Sequence, residues 1–89
     1  MTIYVDPSRR YAGRCPSEWC HLATDGALQE LHEFARALGL PGRAFHRGAK
    51  HPHYDLTPAA RALAVSRGAI EVSSKDLVRR CFLRRTAGS

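Results

Sequence analysis

No stretch of this 89-residue chain comes near the run of about 18 apolar residues that a membrane helix requires. The opening Met1-Thr2-Ile3-Tyr4-Val5-Asp6 lacks the basic segment and long apolar stretch of a signal peptide, so a cytoplasmic setting is expected. Cysteine is scarce and odd in number: Cys15, Cys20 and Cys81 do not make the even set of a secreted disulfide framework. The C-x4-C spacing of the first two is looser than that of zinc knuckles. A structural zinc site on Cys15, Cys20 and His21 is therefore weighed against idle, buried thiols, and the thiols are favoured. Also missing are a glycine-rich phosphate loop, a G-x-S-x-G elbow and an H-E-x-x-H pair. Cys81 falls within an apolar helical stripe, a poor place for a nucleophile.

Lysine is almost absent too, with Arg supplying twelve of the fourteen basic residues, and the formal net charge is +6. Arginine favours bidentate contact with phosphate or carboxylate. A basic balance of this kind is compatible with a nucleic-acid or nucleotide partner. The 44% hydrophobic content suffices for one modest core, so residues 1–85 are read as one small domain and 86–89 as a frayed tail.

Thr2-Ile3-Tyr4-Val5 reads as a short strand stopped by Asp6-Pro7. Residues 7–23, with two prolines and a glycine, read as a long loop pinned to the core by Trp19 and Leu22. Leu28, Leu31, Phe34, Ala35 and Leu38 form a helical stripe, with Thr24 or Asp25 as cap and Gly39-Leu40-Pro41 as terminator. Arg43-Ala44-Phe45-His46 is a second short strand, and 47–55 a loop bearing His and Gly. Thr57 caps a helix that starts at Pro58 and is closed by Gly68. Ala69-Ile70-Glu71-Val72 is a third strand. A third helix, capped by Ser73 or Ser74, runs to about Arg84 with Leu77, Val78, Cys81 and Phe82 on one face. The alternation of strand and helix predicts a small α/β domain of about three short, mostly parallel strands and three helices. The alternative is α+β, should the second strand fail.

In an open α/β sheet, sites form beyond the carboxyl ends of the strands. That rule would gather Asp6, His21 with Asp25, His51 with the His53-Tyr54-Asp55 run, and Ser73 to Asp76 on one rim. Asp6, Asp25, His21 and His53 are the candidate metal ligands, for Mg²⁺, Mn²⁺ or Zn²⁺. His53, Asp55, His21 and Tyr54 are the candidate catalytic groups, as acid, base or hydrogen-bond donor. Arg10, Thr57 and Ser74 are candidate ligand-binding residues. Such a rim would suit binding or hydrolysing a phosphate-bearing or nucleotide substrate with a divalent metal.

Each of these residues also has a structural reading. Asp25, Thr57 and Ser74 suit helix caps, and Asp55 a turn. His32 borders the apolar stripe as a packed histidine, His46 and His51 suit loop surface, and Tyr54 suits the core with its hydroxyl satisfied. One rival function is a non-enzymatic nucleic-acid-binding module using Arg10, Arg79, Arg80, Arg84 and Arg85. Another is docking onto a protein partner through an apolar patch, with no residue singling the partner out.

Several segments in order are distinctive: Tyr4-Val5-Asp6; Trp19-Cys20-His21-Leu22-Ala23-Thr24-Asp25; Glu30-Leu31-His32-Glu33-Phe34-Ala35 with Leu38-Gly39-Leu40; and His53-Tyr54-Asp55-Leu56-Thr57. Over roughly residues 2–72 the chain resembles the small bacterial and phage proteins of the domain of unknown function 4031 family. The resemblance implies a shared motif set at Asp6, His21, Asp25, His32, His53, Tyr54 and Asp55, and names no substrate. The family usually carries serine or a similar residue in place of Cys20 and Ala-Asp in place of Thr24-Asp25, which weighs against Cys20 as a ligand. The segment after about residue 73 falls outside the resemblance.

Overall fold

One strand that the sequence reading leaves as loop organises the molecule. The structure, a computed structural model, describes residues 2–13, 17–46 and 52–83. Cys15, His51, Arg84, Arg85 and the tail 86–89 lie outside the described residues. In chain order the strands are β1 (Ile3–Val5), β2 (Arg9–Arg10), β3 (Glu18–Thr24), β4 (Phe45–His46), β5 (His53–Leu56) and β6 (Ile70–Glu71). The helices are α1 (Leu28–Ala37), α2 (Pro58–Ser66) and the short α3 (Ser74–Leu77). A 3-10 turn at Gly42–Ala44 leads into β4, and a π-helical run at Val78–Leu83 continues α3.

The sheet order is β4-β5-β3-β1-β6, with β2 paired to the start of β3. The expected mostly parallel sheet is not what forms. Among the described residues only β1 and β6 are parallel and the other pairings are antiparallel, so the sheet is mixed. The physical reason is β3. The chain leaves β1 through Asp6-Pro7, returns by the β2–β3 hairpin and inserts β3 between β1 and β5. Glu18 to Thr24 lacks the β-branched run that marks a strand in sequence. It is held because both of its edges find partners, with Ile3 opposite Thr24 on one side and Cys20 opposite Leu56 on the other. The loop expected over 47–55 is likewise cut short, since 53–56 is strand β5.

Side chains alternate across a strand, and here the alternation separates two layers. Val5, Cys20, Leu22, Tyr54 and Leu56 face α1 and α2, where Leu31, Ala35 and Ala64 complete a buried cluster. Tyr4 and Ala23 face the other way, against Leu77, Cys81 and Phe82 of the C-terminal helix. Among the described residues, the polar members of this second face are what the site is made of.

The helix ends follow sequence chemistry with one exception. Thr57 Oγ1 accepts the Ala60 N–H at 3.2 Å, and Pro58 takes the first position of α2. Ser73, not Ser74, caps α3. Gly39 adopts φ +80° beyond α1, letting Leu40 N–H reach back to Ala35 O at 3.1 Å, the bond of a Schellman end. The exception is the start of α1. Ala27 occupies the cap with no side-chain bond, and Asp25 is used elsewhere. The C-terminal helix keeps Leu77, Cys81 and Phe82 buried but leaves Val78 37% exposed, because the wider π turn rotates that position outward.

Candidate functional site: a histidine and carboxylate cluster on one sheet face

Register places the first pair. β3 and β5 are antiparallel with His21 directly opposite Asp55, and β4 and β5 bring His46 opposite His53. All four side chains emerge on the face away from α1 and α2, as two neighbouring rows. The ligand atoms of His21, His53 and Asp55 lie within 4.8 Å of one another. His53 Nε2 and Asp55 Oδ1 are 3.4 Å apart. Two ligands on a tetrahedral ion with bonds of about 2.0–2.1 Å stand about 3.4 Å apart, so that pair already has a metal-binding spacing. The other carboxylate oxygen, Asp55 Oδ2, meets His46 Nε2 at 2.7 Å. The His46 ring stacks on His53, centroids 4.9 Å apart and planes 7° from parallel. His21 meets His53 edge-on at 4.8 Å, and Phe82 of the C-terminal helix stands 6.4 Å from the His53 ring.

Behind this cluster lies a buried carboxylate. Asp6, 2% exposed, follows β1 directly and sits beside His21. Its Oδ1 accepts the His21 backbone N–H at 2.7 Å, and its Oδ2 lies 2.9 Å from His21 Nδ1. The Ser74 hydroxyl donates to the same Oδ2 at 2.9 Å, and Arg9 donates to Ser74 Oγ through Nε and a terminal nitrogen. Burial pushes the Asp6 pKa up. The His21 ring, the His21 N–H and the Ser74 hydroxyl outweigh that and hold it below the ordinary carboxylate value. The same hydrogen bond to Asp6 raises His21 above the usual imidazole value, against its partial burial. An ionised Asp6 can only accept, so His21 Nδ1 carries the proton and Nε2 is the atom left for a ligand. Carboxylate, imidazole and open Nε2 in line is the arrangement that supports metal-ligating histidines elsewhere.

Several sequence expectations change place. Asp6 was expected as a metal ligand, and in the structure its oxygens are engaged by the His21 ring and backbone and by Ser74. Asp25 was expected on the same rim. The antiparallel register sends it to the opposite end of the sheet, where it accepts the Thr2 N–H at 2.8 Å and the Tyr4 hydroxyl at 3.3 Å. Tyr54 lies between His53 and Asp55 in sequence, yet strand alternation turns it to the helical face. There it is 6% exposed and its hydroxyl meets His32 Nδ1 at 2.8 Å. Burial raises its pKa. His32 thus belongs to the helical layer and not to the cluster. Arg10 stands 78% exposed on the β2 hairpin, 3.8 Å from Glu18. Thr57 caps α2 and Ser74 braces Asp6. The zinc set of Cys15, Cys20 and His21 does not assemble on the described residues. Cys20 and His21 point to opposite faces of β3, and the Cys20 thiol is 1% exposed. Burial first, then the Asp6 and Asp55 charges, push its pKa up to about 12.

The residue that sequence reading missed is His46, assigned there to loop surface. The signal was present: Phe45 and His46 sit in a predicted strand, so an inward Phe45 puts His46 on the opposite face. Arg61 was missed too. Its Nε donates to the Asp6 carbonyl at 2.8 Å and it pairs with Glu71 at 3.0 Å, tying α2 to the ends of β1 and β6.

A cleft of about 510 Å³ opens beside the cluster, at the end of the sheet where β3 and β4 start and β5 stops. His46 and Asp55 form the wall it shares with the cluster, and Trp19, Arg43 and Thr57 line it further out.

The family model described as Protein of unknown function (DUF4031) matches residues 3–84. The chain belongs to that family. Comparisons with curated proteins and with solved structures give no match. The match runs through the C-terminal helix, which the sequence resemblance had left outside, so the Ser74 and Phe82 contacts fall within the family's unit. Among the described residues of this DUF4031 chain, no helix is long and apolar enough to cross a membrane.

Proposed function

We propose that this DUF4031 domain binds a divalent transition metal through His21, His53 and Asp55 and uses it to bind, and to hydrolyse, a phosphate-bearing small molecule. The observation that carries the metal reading is the grouping of those three ligand atoms within 4.8 Å on adjacent strands. The Asp6 carboxylate behind His21 strengthens it. Two imidazoles with one carboxylate favour zinc or manganese over magnesium, which prefers oxygen ligands and keeps its waters. A metal held there would lower the pKa of a bound water and polarise a phosphoryl oxygen. His46, which bonds Asp55 and lines the cleft, would exchange a proton with such a water.

The phosphate half of the reading rests on the net charge of +6 and on Arg43 in the adjoining cleft. The nucleic-acid reading is less favoured. Arg79 and Arg80 each face Asp76, at 3.8 and 3.7 Å, and Arg80 lies 5.6 Å over the Tyr4 ring, so part of that basic surface is engaged internally.

Isothermal titration of the full chain with Zn²⁺, Mn²⁺ and Mg²⁺ tests the metal. One equivalent of Zn²⁺ or Mn²⁺ should bind, and His53→Ala should abolish binding while the circular dichroism spectrum is kept. A wild-type chain that takes up no metal, or a His53→Ala chain that binds as well as wild type, sinks the proposal.

A further inference from the structure

The cleft beside the cluster has a composition of its own. Its outer walls are largely apolar, with Trp19, Leu40, Pro41 and Ala44 among them, and Arg43 is its cationic side chain. Its inner wall is His46 and Asp55, shared with the metal cluster. At about 510 Å³ it falls within the size range of sites for small organic ligands, roughly 300–1,000 Å³. The register explains why these residues meet. With Cys20 opposite Leu56 and Phe45 opposite Tyr54, Trp19 comes level with Thr57 and Ala44 level with Asp55, so three strand ends frame one opening. The hydroxyl of Thr57 is already used by the Ala60 N–H, so the start of α2 contributes wall and not a free anion site.

We propose that this cleft holds a single nucleotide, a nucleoside monophosphate, with its base against the Trp19 indole and its phosphate between Arg43 and the His46–Asp55 wall. The proposal rests on the metal reading for the inner end of the cleft and adds the identity of the ligand. Three features select the ligand together. A flat aromatic surface in an apolar wall suits a planar base, since every base has a face to stack on an indole. A guanidinium suits a phosphate, which it can bind through two parallel hydrogen bonds. An apolar wall joined to a wall shared with the metal cluster calls for a molecule with one apolar and one anionic terminus. Inorganic phosphate leaves the apolar end unfilled, and a nucleoside leaves Arg43 and the metal end without a partner.

Trp19 is the sole tryptophan of the chain, so its fluorescence reports this cleft directly. The test is a fluorescence titration of the zinc-loaded full chain with AMP, GMP, CMP and UMP, against adenosine, ribose 5-phosphate and a short oligonucleotide. At least one monophosphate should quench Trp19 saturably. Adenosine and ribose 5-phosphate should each bind about tenfold more weakly or worse, the loss expected when a stacking or a phosphate contact is removed. Arg43→Ala, a change at an exposed position, should weaken the monophosphate by about tenfold and leave zinc stoichiometry at wild-type level. The proposal is overturned if zinc binds but no monophosphate moves the Trp19 signal. It is equally overturned if ribose 5-phosphate or the oligonucleotide binds as tightly as the monophosphate. Failure of zinc to bind is the separate failure of the metal reading. The same titration on the metal-free chain then decides the cleft by itself, a saturable quench supporting nucleotide binding and a flat titration ending it.

Discussion

The two faces of the sheet are built from the same strands and do opposite work. On the helical face, β3 and β5 present Cys20, Leu22, Tyr54 and Leu56 to α1 and α2, and each is less than a tenth exposed. On the other face the same two strands present His21, His53 and Asp55, one residue out of step. The C-terminal helix packs its buried apolar side chains on that second face against Tyr4 and Ala23 and reaches the polar cluster through Ser74 and Phe82. The contrast teaches that stability and polar chemistry here are divided by strand parity. A change at Cys20 or Leu22 should unfold the molecule, and a change at His21 should disarm it with the fold kept.

The sharpest way to break that comparison is a pair of substitutions one residue apart. Leu22→Ala should cost about 2–5 kcal/mol, a large part of the stability of a domain this size, because it leaves a void at a fully buried position. Urea denaturation would measure it. His21→Ala next door should lower metal affinity at least as steeply as loss of a supporting carboxylate, about 10–100-fold, with a much smaller shift in the urea midpoint. Equal effects of the two on stability would erase the distinction between the faces.

Asp6→Asn tests whether the buried carboxylate acts through His21. It removes the charge that fixes the Nδ1 proton, so metal affinity should fall about 10–100-fold. The His21 ring pKa, followed by NMR, should drop toward the ordinary imidazole value. An unchanged His21 titration would mean that Asp6 serves the fold alone.

The pH profile of stability sharpens the same pair. Asp6 titrates below its ordinary value of 3.8, so its contribution is complete above that value and is lost as pH falls through the lowered pKa. His21 titrates above its ordinary 6.5, so its contribution is complete below that value and is lost as pH rises through the raised pKa. The metal-free chain should therefore be most stable between those two values. Asp6→Asn should flatten the profile on both sides, as thermal melts across pH would reveal.

The smallest effect belongs to a residue outside both faces. Arg10→Ala should change stability by no more than about 0.5 kcal/mol, since its contact with Glu18 is long and solvent-exposed. It should also leave metal affinity unchanged.

Local chemistry fixed what depends on neighbours in sequence. Thr57-Pro58, Gly39 and Gly68 mark helix ends by capping and left-handed turns, and those ends stand close to where the chain places them. The apolar stripe of α1 gave its buried face, and His21, His53 and Asp55 were recognisable as a polar set. The β3 strand was not legible, because Glu18 to Thr24 becomes a strand through partners 17–21 residues away on one side and 32–36 on the other. Its antiparallel placement then decided the rest. It brought His21 opposite Asp55, sent Asp25 to the far end and drew His46 in through β4. It also turned Tyr54 to His32 by the period of two. Sequence by itself determined which side chains could take part. Tertiary pairing decided which of them meet, because register is set by hydrogen bonds between distant strands, and a side chain's face is fixed only once its strand is paired.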